Sequence, residues 1–220
     1  MRLFRIFTLL VSVAGLAACA HPPAQKDYAD FHAAAPRSIL VVPVVNKSTE
    51  VTAPDNFLVS LSAPLAERGY SVFPVNMVKH TMEDGGLSDA DLVAQADPVR
   101  VAGLFGADAV LYASIEHWES RYILISATTV VDVHYTLKSG KTGATLWDET
   151  VHTEYSPSSQ NAGNPIATLL VAAVTAVIEK ASPSYIPLAN QANQANQVAF
   201  YTKGRGVPAG PYDPAYGKDF

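Results

Sequence analysis

The chain has a single cysteine, and that residue sets the terms on which it can fold. Cys19 closes the string Leu16-Ala17-Ala18-Cys19, directly behind an apolar run from Ile6 to Gly15 that is preceded by Arg2 and Arg5. A basic start, an apolar middle and small residues before the cut make a bacterial export signal. A Cys at the first mature position turns ordinary secretion into lipoprotein processing: the thiol is diacylated, the leader is cleaved before it, and the new amine is acylated. Leu3 to Ala18 falls short of the roughly 20 apolar residues a spanning helix needs, so a cleaved leader over residues 1–18 is expected instead of a transmembrane anchor. Once Cys19 carries lipid no free thiol remains. Disulfides, cysteine-ligated zinc and cysteine nucleophiles drop out together, and the fold must be held by core packing alone.

Each buried acyl methylene contributes about 0.8 kcal/mol to membrane partitioning, and one chain binds only marginally, so several chains on Cys19 would hold the protein on a bilayer. Ala20 and His21 follow, with no Asp at the second mature position, which by the usual sorting rule means the outer membrane, with the domain facing the periplasm. Loss of the leader removes Arg2 and Arg5 and moves the formal charge from −5 to −7. That acidic balance speaks against nucleic acid and against adhesion to an anionic surface. The remaining 202 of the 220 residues suit one domain with extensions.

Residues 19–37 read as the lipidated Cys and its tether, with Pro22-Pro23 stiffening the first steps from the bilayer. Tyr28 and Phe31, three apart, fit either a short helical turn docked on the domain or two exposed linker aromatics. Residues 38–183 are expected to form a single α/β domain. Ile39 to Val45 is an apolar run of strand length, with Pro43 at a bulge or edge. Phe57, Leu58, Leu61 and Leu65 recur at helical spacing up to Gly69, and Pro64 should kink that helix or start another. Tyr70 to Pro74 is a short strand. Short helices follow over Val75 to Met82, after the capping-box spacing of Ser88 to Asp91, and from Pro98 to Phe105 with Gly106 as the stop. Ala109 to Ile115 is the third strand, which makes the front half βαβαβ and favours parallel strands.

Beyond Trp118 the pattern turns to strands alone. Arg121 to Leu137 alternates in its second half, Thr129, Val131, Val133, Tyr135 and Leu137 against a mostly polar Val130, Asp132, His134 and Thr136. After a turn over Lys138 to Gly143 the chain returns from Ala144 to Tyr155, giving a long antiparallel hairpin. Its first arm would reach some 55 Å, so it must bend, bulge or project, and a projecting hairpin is a candidate contact surface. Ile166 to Lys180 is an apolar helix too short to span a bilayer, expected to pack on the sheet or on a copy of itself. The fold class is thus α/β with a mixed, partly α+β sheet: a βαβαβ front half, the long hairpin, and the C-terminal apolar helix on the sheet. Residues 184–220 read as a low-complexity tail: three copies of Ala-Asn-Gln over 189–197 with little to bury, then a Gly/Pro-rich end in which Tyr212 and Tyr216 are candidate docking anchors.

No motif demands enzymology. The six His are dispersed as His21, His32, His80, His117, His134 and His152, none at the i, i+4 zinc spacing, and no phosphate loop or nucleophile elbow appears. No cofactor is implied. Asp132 and His134 share a strand face and could pair, which leaves a periplasmic hydrolase around them as an alternative. A purely structural envelope dimer is a further alternative.

Pro36 to Asn46 with Ser48, Glu50-Val51 and Ala53, then Pro64 to Val75, Gly86-Leu87 and Phe105 to Ala109, together resemble a bacterial family of lipoproteins catalogued as a domain of unknown function. The closing Gly-Pro-Tyr-x-Pro-x-Tyr-Gly is similar to that family's tails, while the Ala-Asn-Gln insert departs from its pattern. The resemblance implies a fold similar to the N-terminal domain of TolB and to curli-secretion-type lipoproteins. It also implies a homodimer, and a curli-secretion-type lipoprotein as envelope partner. No catalytic residues carry over. The reading that follows is a non-enzymatic outer-membrane lipoprotein, held through Cys19, that serves envelope assembly or curli-like secretion by protein contacts.

Overall fold

The computed structural model describes residues 26–123, 126–155 and 186–218. Its framework is a six-stranded mixed sheet. The strands are β1 (Ser38–Val41), β2 (Val45–Asn46), β3 (Ser71–Val72), β4 (Ala109–Ile123), β5 (Ser126–Ser139) and β6 (Thr145–Tyr155). They lie in the order β3-β1-β4-β5-β6, with β2 also on β4. β1 pairs in parallel with β3 and β4, and β2 in parallel with β4, whereas β4, β5 and β6 form an antiparallel meander. The parallel front half is the one the alternation of elements implies. The apolar run from Ile39 to Val45, however, makes two strands and not one. Pro43 has no N–H for the ladder, and the chain leaves β4 between β1 and β2 to pass it.

Ile39 and Val41 enter one core, Leu40 and Val42 the other, so β1 is buried on both faces. The larger core lies under α2 (Ala53–Glu67), whose Phe57, Leu58, Leu61 and Leu65 are all buried. That helix runs on through Pro64, which sits one turn from its C-terminal end. The smaller core lies under α3 (Val75–Asp84), α4 (Ala90–Gln95) and α5 (Pro98–Phe105), through Val78, Met82, Val93, Val101 and Ala102. Asp89, one residue after the expected Ser88, caps α4 by accepting from the amides of Asp91 and Leu92. Asp97 caps α5, Pro98 opens it and Gly106 closes it at φ +71°.

The expected hairpin across Lys138–Gly143 is present, with β5 antiparallel to β6, but its first arm needs correction. The single arm from Arg121 to Leu137 is divided between two strands: β4 continues to Ile123, and β5 starts at Ser126. The long hairpin is therefore β4–β5, extended by β6, and it carries a bulge where the register shifts between Ile115 and His117.

The tail reading is overturned more sharply. The apolar stretch Ile166 to Lys180 lies outside the described residues, and the helix seen packed on the sheet is α6 (Ile186–Tyr201), which contains the Ala-Asn-Gln repeat. A three-residue repeat on a helix of 3.6 residues per turn drifts around the axis, so each residue type passes through the buried face. Gln191, Ala192, Ala195, Asn196, Ala199 and Phe200 are buried, a stripe with helical spacing. The Tyr135 hydroxyl donates to Asn196 Oδ1 at 2.9 Å, and Asn196 Nδ2 donates to Ser60 Oγ at 2.8 Å, which ties β5, α6 and α2 together. Burial holds the Tyr135 phenol well above its ordinary pKa.

After α6 the Gly/Pro-rich end runs as a strap. Trp147 Nε1 donates to Arg205 O at 2.7 Å, Arg68 Nη2 to Val207 O at 2.7 Å, and Gly210 N to Arg68 O at 2.6 Å. Gly69, at φ +79°, lies so close beneath that a Cβ there would sit 2.3 Å from Asp213 N. Tyr212 and Tyr216 remain exposed on this strap.

Asn196→Ala leaves the buried Tyr135 hydroxyl without an acceptor and should lower stability by about 2–3 kcal/mol, read as a lower urea midpoint at unchanged slope. Gly69→Ala combines a left-handed backbone with a backbone clash. It should cost at least about 2 kcal/mol and detach the strap, seen as faster amide exchange over residues 207–213.

Candidate interaction face

Alternation along β5 sends Val131, Val133, Tyr135 and Leu137 into the larger core and turns Asp132, His134, Thr136 and Lys138 the other way. The helices of the smaller core cover that second face above β1, β2 and the start of β4, and α5 reaches the end of β5. Over the middle of β5 and over β6 no described helix is packed on it, and its side chains form cross-strand rungs. His117, Asp132 and His152 are in register on β4, β5 and β6, and so are Ser114, His134 and Thr150.

Where this polar face meets α4 there is a cleft of about 250 Å³. Asp91 and Gln95 of α4 wall one side, and Lys47, Glu116, His134 and Lys138 the other. Lys47 Nζ donates to both Glu116 oxygens at 2.9 Å. Burial works to raise the Glu116 pKa, but Lys47, together with Ser114 and His134, outweighs it and holds the carboxyl below its ordinary value. Lys138 Nζ sits 5.4 Å above the centre of the Tyr112 ring, a cation–π contact. Burial, with a smaller contribution from Asp97, pushes the Tyr112 phenol up to about 12.

The two residues of the hydrolase alternative lie on this face without meeting. Asp132 pairs across the strands with His152, Oδ1 to Nδ1 at 2.5 Å. His134 has Nδ1 2.9 Å from Thr150 Oγ1 and Nε2 3.1 Å from Thr136 Oγ1, so both ring nitrogens are occupied. Asp132 takes its cross-strand partner His152, while His134 takes Thr150 across the strands and Thr136 two residues along its own, and so the two do not pair. His117 Nε2 lies 3.3 Å from Glu119. Among the described residues no group of three or more His, Cys, Asp or Glu is arranged to hold a metal, and no helix is long and apolar enough to cross a membrane. Cys19 and the lipobox residues Leu16, Ala17 and Ala18 lie outside the described residues. The sequence reading saw the polar face of β5 but missed Lys47, Glu116 and Lys138 as one cleft. They come from three strand regions, and no local spacing links them.

The described residues thus form a mixed sheet with helices packed on it and a polar face open over β5 and β6. The chain belongs to the family described as "Putative lipoprotein GNA1162-like", which it matches over residues 26–212. It is 33% identical over 193 residues to "Putative lipoprotein NMB1124/NMB1162" of Neisseria meningitidis serogroup B (strain ATCC BAA-335 / MC58), covering 87% of this chain and 86% of that one. It is also similar to the crystal structure of lipoprotein GNA1162 from Neisseria meningitidis, with a TM-score of 0.53 and 32% identity, over 68% of this chain and all of that one. That likeness supports the mixed α/β fold described above.

Lys47→Met removes the charge and donor that hold Glu116 down. The Glu116 pKa should then rise above its native value in an NMR titration of the side-chain carboxyl, with the fold unchanged.

Proposed function

We propose that this protein is a non-enzymatic accessory lipoprotein of the outer membrane, anchored by acyl chains on Cys19 and acting in envelope assembly or curli-like secretion through protein contacts. The observation that carries this reading is the open polar face of β4–β6 with its cleft, on a chain whose first residues spell an export signal and lipobox and whose family is one of lipoproteins. Among the described residues Asp132 is taken by His152, and His134 is held between Thr150 and Thr136, so the two residues of the hydrolase alternative are not assembled as a pair, which favours contact over chemistry. The domain is the stretch 38–183 with the segments docked onto it, it faces the periplasm, and it works as a homodimer beside a curli-secretion-type envelope lipoprotein.

The test is capture of the lipidated protein from membranes in intact-cell cross-linking, compared with Cys19→Ser. The Cys19→Ser form should be unlipidated and absent from the outer-membrane fraction. Reversing both cleft cations with Lys47→Glu and Lys138→Glu should reduce recovery of the lipoprotein partner about tenfold or more, equivalent to about 1.4 kcal/mol, while the thermal midpoint stays within a few degrees. Equal membrane recovery of the native and Cys19→Ser forms refutes the anchor. Undiminished partner recovery by the charge-reversed form refutes the face.

A further inference from the structure

The segment that joins the lipid-anchoring string to the fold is itself docked. Tyr28 is 8% exposed and Phe31 3% exposed; both belong to the larger core, and the second lies on α1 (Ala29–Ala34). The Tyr28 hydroxyl donates to Gly206 O at 2.7 Å, and Lys26 N donates to Gly204 O at 3.1 Å. Lys26 Nζ donates to Asp148 O and lies 3.4 Å from Glu149 Oε2. The receptor for this segment is the C-terminal strap, which is fixed in turn by Trp147 on Arg205 O and by Arg205 paired with Glu149 at 2.5 Å. Tether and tail, the two pieces that read as loose ends in the sequence, therefore hold each other at the start of β6.

This contact changes how far the domain can stand from its anchor. From Cys19 to Lys26 there are seven Cα steps. At about 3.3–3.6 Å each they span at most about 25 Å, and Pro22-Pro23 shortens that further. Without the docking, the chain would first be held where Arg37 N and Ser38 N both donate to Asp108 Oδ2 at 3.1 Å. That would leave eighteen steps and about 60 Å.

We propose that docking of Tyr28 on the strap and of Phe31 in the larger core turns a long tether into a short leash, so that the lipid bilayer itself is the neighbour of the surface around the start of β6, Lys203 and Arg205. The β3 edge, four strand spacings or about 19 Å away across the sheet, is the far side. Partners of the open face are then those that come to the same membrane surface. This inference rests on acylation at Cys19.

The experiment uses the lipidated protein in vesicles of phosphatidylethanolamine and phosphatidylglycerol with a headgroup-labelled acceptor. A donor dye is placed at Lys203→Cys or, as the far control, at His80→Cys on the exposed face of α3. Energy transfer should be stronger from position 203 than from 80. It should fall at least twofold from 203 when a Gly/Ser spacer is inserted between Gln25 and Lys26, and also in Tyr28→Ala/Phe31→Ala.

Lys26 is the only Lys or Arg between Cys19 and Arg37, so trypsin reports the docking separately. Release of the domain should be at least tenfold faster in the double variant than in the native or spacer forms. The spacer form leaves every docking contact in place, so it keeps the test valid if the double variant fails to fold. Equal transfer from 203 in the native and spacer forms overturns the leash. Equal tryptic release of the native protein and a folded double variant overturns the docking on which it depends. Failure of the native protein to sediment with vesicles, with Lys26 still protected, overturns the leash through the loss of its anchor, a result distinct from the other two.

Discussion

The buried Tyr135 phenol is the point on which the larger half of the structure depends. Its ring centre lies 6.0 Å from that of Phe57 on α2, 6.1 Å from Trp147 on β6 and 5.4 Å from Phe200 on α6. Its hydroxyl needs an acceptor in a place that water does not reach, and Asn196 supplies one while donating onward to Ser60. An apolar residue at 196 would make that hydroxyl an unpaired buried donor, and an apolar residue at 135 would leave Asn196 half satisfied. The network therefore fixes which face of α6 turns inward, where hydrophobic burial alone would not choose sharply among alanines.

Unequal treatment of the two sheet faces follows. One face is closed by α2, α6 and the aromatic cluster. The other is closed chiefly over the parallel strands, because α3, α4 and α5 are crossover helices and must lie beside the strands they connect. The antiparallel meander has no such helices, and its outward side chains are polar from Asp132 to Lys138 and from Asp148 to Glu154 on alternate positions. The open face and its cleft are thus products of topology. Where crossovers end, the described helices leave this face open.

The strap belongs to the same economy of contacts. With no disulfide available, the chain ends are held by hydrogen bonds to backbone carbonyls from Tyr28, Tyr70, Arg68 and Trp147, and by the close approach that Gly69 and Gly210 permit. The Tyr and Trp donors bring apolar area with them, so each bond is made at the rim of the core and is shielded there.

Local chemistry was legible wherever a single stretch of chain decided the outcome. Pro98 and Gly106 bounded α5, the core face of α2 could be read from its spacing, and the alternation along β5 divided its buried residues from its polar ones. The turn after Ile123 was not legible, because residues 121–128 contain no Gly, Pro, Asn or Asp to mark it. The Ala-Asn-Gln repeat misled for a related reason: its composition says little is buried, and only the three-dimensional position of Tyr135 makes Asn196 a core residue. By itself the sequence determined the family and the parallel start of the sheet, since these rest on contiguous strings and on the order of elements. The tertiary structure alone decided the cleft of Lys47, Glu116 and Lys138, the seating of the tether on the tail, and the parting of Asp132 from His134. Each of these depends on distances between residues far apart in the chain, which no spacing along it encodes.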